Sequence, residues 1–72
     1  MNELKSLSTV ALMKDVPEKG LRHGQVGTVI EMLSAGVYEV EFSDDTGRSY
    51  ANQAIAANHL LPLLHEPVCH AA

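Results

Sequence analysis

The chain has 72 residues, of which 46% are hydrophobic and 19% are charged. This composition is too apolar for a disordered protein, and no apolar run approaches the roughly 18 residues of a membrane-spanning helix. A chain of this length forms one domain that buries only about 60% of its unfolded surface. The sequence therefore predicts one soluble globular domain of modest stability.

The formal net charge of −4 is unevenly distributed. Residues 1–24 carry four basic and three acidic side chains, for a charge of +1, whereas residues 25–72 carry one basic and six acidic side chains, for −5. Nucleic-acid binding depends on Lys and Arg at the phosphates, so residues 25–72 disfavour contact with a duplex. A basic protein is the better electrostatic match.

Cysteine usage and the N-terminal residues indicate a cytoplasmic protein. Cys69 is the single cysteine and cannot form an internal disulfide, whereas small secreted domains usually contain several. Residues 1–5 also lack the basic segment and apolar block with which a secretory signal begins. We therefore expect an intracellular location and no membrane contact.

The chain opens with a predicted strand and a long connection. Residues 1–8 are expected to be a polar, loosely held lead-in, with Leu4 and Leu7 tucked against the rest of the domain. Residues 9–13 are rich in side chains that fit a half-buried strand. Residues 14–24 contain Pro17 and two glycines, and their length suits an excursion over one end of the domain.

A central hairpin follows. In its first strand, residues 25–33, Gly27 predicts a bulge or tight bend, and we expect both Val29 and Ile30 to be substantially buried because the strand is strongly bent. Gly36 supplies the positive φ of a short turn. Residues 37–42 then read V-Y-E-V-E-F, which predicts a strand with its apolar residues on one face and its glutamates on the other.

The last third of the chain can be interpreted in two ways. Residues 48–56 alternate like a strand, yet their alanine content also suits a helix. We favour the strand, because the tight turn predicted at 44–47 requires a pairing partner for the strand before it. The remaining expected elements are a helical turn, an edge strand that tolerates proline, and a flexible tail, at residues 58–59, 60–64 and 66–72.

Five short strands in this order predict an all-β, SH3-like barrel over residues 9–65, with a short helical turn before the last strand. The spacing of Gly24, Gly27 and Val29 resembles the KOW motif, a strand–loop element of barrels that include RNA-binding proteins. A wider resemblance covers residues 9–64 and is carried by these segments: TVAL at 9–12, PEKGL at 17–21, GQVGT at 24–28, GVYEVEF at 36–42, GR at 47–48 and LL at 60–61. These segments resemble a bacterial family of small proteins, domain of unknown function 4926. The resemblance implies a small, barrel-like, mobile or accessory gene product, and it implies no activity.

Candidate metal ligands lie mainly near the C-terminus. His59, His65, Cys69 and His70 are residue types that zinc prefers, but their spacing lacks the closely paired ligands of a structural site. We therefore predict no metal and no cofactor.

The sequence also predicts no enzyme. Ser43, Ser49 and Cys69 are not spaced recognisably against a base, and adjacent aspartates in a turn, Asp44 and Asp45, form no buried acid–base pair. A chain of this size has no spare loops to build a substrate pocket.

The feature we favour is the acidic side of the hairpin. Glu39 and Glu41 lie two apart on one strand and therefore project from the same face, which Glu31 and the turn residues Asp44 and Asp45 could extend. Such a surface steers a cationic partner. The hypothesis is a non-catalytic protein-interaction module that binds a basic protein encoded nearby, in the manner of an antitoxin or immunity protein, although an ordinary solvated face would look the same in sequence.

Two further possibilities stay open. A KOW-like nucleic-acid accessory protein would use the basic residues Lys14, Lys19 and Arg22 of the first loop. Self-association through an edge strand, giving a homodimer, is also plausible for a small barrel.

Overall fold

The computed structural model describes residues 4–64 and contains five β-strands and two short 3-10 turns. The strands are β1 Thr9–Leu12, β2 Val26–Ser34, β3 Val37–Ser43, β4 Ser49–Ala56 and β5 Leu60–Pro62. The first 3-10 turn, Pro17–Lys19, lies between β1 and β2, and the second, Ala57–His59, joins β4 to β5. The predicted all-β class, the two tight turns and the helical turn before the last strand are therefore confirmed.

The strands form one antiparallel sheet in the order β4-β3-β2-β1-β5. The ladder is open, with β4 at one edge and β5 at the other. The pairing of β4 with β3 confirms the strand interpretation of this segment, and the helical alternative is wrong. No helix in residues 4–64 has the length and apolar character needed to cross a membrane.

The core lies on one face of the sheet, to which alternate residues of the strands contribute buried side chains. On β3, Tyr38, Val40 and Phe42 are at most 3% exposed, as the strict alternation predicts. The remaining buried side chains come from the other four strands and the first loop: Val10, Leu12, Val16, Leu21, Val29, Ile55 and Leu60.

The irregularities of β2 differ from the prediction. Gly27 pairs regularly with Phe42, and the register shifts lie further along, between Val29 and Glu31 and again after Met32. Val29 is buried as expected, whereas Ile30, at the first shift, is only partly buried. Gly27 is required for packing instead, because a Cβ there would lie 2.6 Å from a methyl of Val40.

The segments around β1 are more tightly bound than their sequences indicate. Leu7 N–H donates to the carbonyl of Val29 at 2.6 Å, and Val29 N–H donates to Ser8 at 2.8 Å, so residues 7–8 continue along β2. Leu4 also packs against the core, whereas the side chain of Leu7 is exposed. In the first loop, Val16 and Leu21 form a backbone bridge, and both side chains enter the core.

Candidate functional site

The predicted acidic surface is assembled on the outer face of β2 and β3. Glu39 and Glu41 alternate with the core residues of β3, and both are half-buried. Glu31, on β2, is exposed and lies directly opposite Glu39 in the ladder. These three residues, Glu31, Glu39 and Glu41, are called the acidic face below.

A β-bulge creates this juxtaposition. Val29 pairs with Val40, and in an unbroken antiparallel register Glu31 would therefore face the buried Tyr38. The register shift at Ile30 inserts one extra residue, so Glu31 pairs with Glu39 instead. The bulge thus moves a carboxylate from the core side to the outer face, beside a second carboxylate.

No Lys or Arg on the paired strands lies directly opposite Glu39 or Glu41. Glu39 lies between Glu31 and Ala54, and Glu41 lies between Thr28 and Asn52. Asn52 provides a polar contact, with its Nδ2 3.4 Å from Oε2 of Glu39. Like charges directly opposite each other are destabilising, so a cationic ligand here would relieve repulsion as well as add attraction.

The aspartates of the β3–β4 turn have separate surroundings. Oδ1 of Asp44 accepts hydrogen bonds from Thr46 Oγ1 at 2.7 Å, Thr46 N–H at 2.9 Å and Arg48 N–H at 3.0 Å. The Thr46 hydroxyl, followed by the other hydrogen bonds, lowers the pKa of Asp44 below its usual value. Asp44 therefore caps the turn from just beyond β3, and Asp45 next to it is exposed.

The basic residues of the alternative site lie along the first loop. Lys14, Lys19 and Arg22 are all exposed. An open cleft of about 340 Å³ lies beside Arg22 and includes Asp15 and Leu21 in its lining. Oδ1 of Asp15 accepts the His23 N–H at 2.8 Å, so this loop carries an acidic group among its cations.

The candidate metal ligands are only partly within the described chain. His59 lies in the second 3-10 turn, where its carbonyl accepts the Met13 N–H at 2.8 Å. His65, Cys69 and His70 fall outside the described residues. Within residues 4–64, no three side chains of His, Cys, Asp or Glu are grouped to hold a metal ion.

A row of apolar side chains on the outer surface was missed by sequence reasoning. Ala11 of β1 pairs with Leu61 of β5 on one side and Val26 of β2 on the other. Leu61 is 48% exposed and Val26 is 49% exposed. Only the register between strands brings these residues together, because they are distant in sequence.

Comparison with known proteins gives a family and nothing more specific. No curated protein and no solved structure matches the chain. The family model described as Domain of unknown function (DUF4926) matches residues 6–62, which is most of the chain. This match starts a little earlier and ends a little earlier than the span of the sequence resemblance, and it includes all five strands. The chain therefore belongs to the DUF4926 family.

Proposed function

We propose that this protein is a non-catalytic, cytoplasmic interaction module that binds a basic protein partner on its acidic face. The observation that carries the proposal is the bulge at Ile30, which sets Glu31 directly opposite Glu39. Two directly opposed carboxylates reduce stability, and a face that is only solvated does not require them to be opposed. The arrangement is understandable if a bound cation compensates for their repulsion.

The geometry defines the chemistry of the partner. Opposed residues on antiparallel strands have Cβ atoms about 5 Å apart, and residues two apart on one strand are separated by about 7 Å. The acidic face therefore presents three carboxylates within a patch about 8 Å across, the diagonal from Glu31 to Glu41. One Arg can bridge the opposed pair, and a second Lys or Arg can reach Glu41. A strand or helix with two closely spaced basic residues, on the product of a neighbouring gene, meets this requirement.

Affinity capture from the native host tests the proposal. The tagged wild-type chain is compared with the double variant Glu39→Lys and Glu41→Lys and with Glu18→Lys, a charge reversal at an exposed acidic residue in the first loop. We expect a basic protein to be retained by the wild type and by Glu18→Lys. The double variant should bind it about tenfold more weakly or worse, because like charges then face each other. Raising the salt concentration should weaken the wild-type complex.

Two results would contradict the proposal. One is capture of the same proteins, equally well, by all three chains. The other is retention of RNA that is lost on substituting Lys14, Lys19 and Arg22 by Gln and is unaffected by the glutamate reversals. The second result would favour the nucleic-acid alternative.

A further inference from the structure

β4 presents an open edge of the sheet. Ser49–Ala56 pairs with β3 on one side, and on its other side no strand of residues 4–64 pairs with it. Since N–H and C=O groups alternate in direction along a strand, about four of the eight residues direct theirs away from β3. Such a row of backbone groups is a template for another strand.

β4 lacks charge and proline, two of the features that usually protect an edge, and its one register shift lies at Tyr50, near its start. Its sequence, SYANQAIA, contains no charged residue and no proline over eight residues. The opposite edge, β5, has only three residues, and one of them is Pro62, which has no N–H to donate. Charges, prolines, bulges and short length all hinder strand addition; β5 has the proline and the short length, whereas β4 from Ala51 to Ala56 has none of these, so the two edges differ in their capacity to accept a strand.

We infer that β4 pairs antiparallel with β4 of a second copy of this chain, across a two-fold axis, to form a continuous ten-stranded sheet. When two identical strands pair antiparallel, the backbone groups of both β4 edges form the same hydrogen bonds. The assembly then stops at two subunits, because no β4 edge is left unpaired. The two-fold axis can place either Asn52 or Gln53 opposite its own counterpart, and a side-chain amide there can bond to that counterpart because it has both donors and an acceptor. The small neighbours Ala51 and Ala54 leave room for the second strand.

The charge of the chain is compatible with this arrangement. The net charge of −4 opposes close contact between acidic surfaces of two copies. In the edge-paired dimer, however, each Glu39 lies on β3, three strand spacings of about 4.8 Å from β3 of the other copy. The resulting separation of roughly 14 Å exceeds the Debye length of about 8 Å at physiological salt. Both acidic faces stay open, so the dimer does not depend on the proposed function.

Sedimentation equilibrium of the full chain over a wide concentration range tests this inference. We expect a reversible rise in mass that saturates at twice 7.8 kDa. Two matched variants locate the interface. Asn52→Lys and Thr28→Lys each place a lysine opposite Glu41, on its two sides, and change the net charge equally. Only Asn52 lies on the edge strand, so Asn52→Lys should raise the dimer dissociation constant about tenfold or more, with little change for Thr28→Lys.

Hydrogen exchange of the unmodified chain gives a second measurement that does not depend on a variant folding. At high protein concentration, amides of β4 should exchange more slowly than at low concentration, and their gain in protection should exceed that of Gly27 and Thr28 in β2, which pair with strands on both sides. A chain that stays monomeric, β4 exchange that is independent of concentration, or equal dissociation constants for both lysine variants would overturn the inference. Masses that continue beyond two copies would overturn the two-fold pairing.

Discussion

Gly27 controls how closely β2 approaches β3. A Cβ at this position would lie 2.6 Å from Cγ1 of Val40 and 2.9 Å from Cδ1 of Phe42, both of which belong to fully buried side chains. We predict that Gly27→Ala lowers the free energy of unfolding by about 1–3 kcal/mol, because a filled core must rearrange to accept one methyl group. Urea unfolding followed by far-UV circular dichroism measures this loss.

A double-mutant cycle with Val40→Ala tests the cause. Val40→Ala removes the nearest atom, so the two changes together should cost less than the sum of their separate effects, by a coupling energy of about 0.5–3 kcal/mol. Strict additivity would mean that the contact with Val40 is not the source of the loss.

The stability that Asp44 contributes in the β3–β4 turn depends on pH. Its folded-state pKa lies below the ordinary value of 3.8, so its contribution to stability is present above that value and is lost as pH falls through the lower folded pKa. We predict that Thr46→Val raises the pKa of Asp44, because the Thr46 hydroxyl is the largest cause of the shift. Carboxyl ¹³C titration by NMR measures it, with Ser49→Ala as a control for a nearby hydroxyl. An unchanged titration in Thr46→Val would show that backbone N–H groups alone set the pKa.

For single residues, the sequence often indicated that a residue has a structural role but not which role it has. Gly36 has φ of 75° in the turn, as its sequence context predicts. Gly27 was expected to mark a bulge, but a glycine also serves where another side chain needs its space, and sequence alone does not separate these uses. The occupied volume beside Gly27 comes from β3, through long-range pairing.

The first loop is a structural element in its own right. Val16 and Leu21 are joined by two backbone hydrogen bonds, of 2.8 and 3.1 Å, around the first 3-10 turn. Leu21 is fully buried. We predict that Leu21→Ala lowers the free energy of unfolding by about 2–5 kcal/mol, as for other large-to-small changes in a core.

Leu61→Ala is the matched control, since Leu61 is 48% exposed and on the outer surface. Leu61→Ala should lower the free energy of unfolding by about 1 kcal/mol or less. Equal losses for the two variants, measured by the same urea titration, would contradict a structural role for the loop.

Periodicity explains which elements could be predicted. The alternation of apolar and charged residues predicted β3 and identified its inner face. The tight turn before β4 favoured a strand over a helix for that segment. Val16 and Leu21 carry no such signal, because two isolated apolar residues five apart fit neither a strand nor a helix period. Their burial depends on the folding-back of the loop.

At the scale of the whole molecule, the acidic face shows how local irregularity shapes a surface. The pairing of Glu39 and Glu41 on one side follows from their spacing, and the structure places them as that spacing predicts. The position of Glu31 depends on the bulge at Ile30, which only the pairing with β3 reveals. Sequence reasoning therefore found the residues of the candidate site but not the direct opposition of Glu31 and Glu39.

The second 3-10 turn imposes a constraint on the entire sheet. It takes the chain from β4 to β5, the two outermost strands, within Ala57–His59. In a flat sheet these strands would be four spacings, or about 19 Å, apart. The four Cα–Cα steps from Ala56 to Leu60 reach at most about 15 Å even when fully stretched. The sheet must therefore curve for the backbone to remain continuous. Because this one connection is so short, the sheet cannot lose the curvature that encloses the core while both outer strands stay in place.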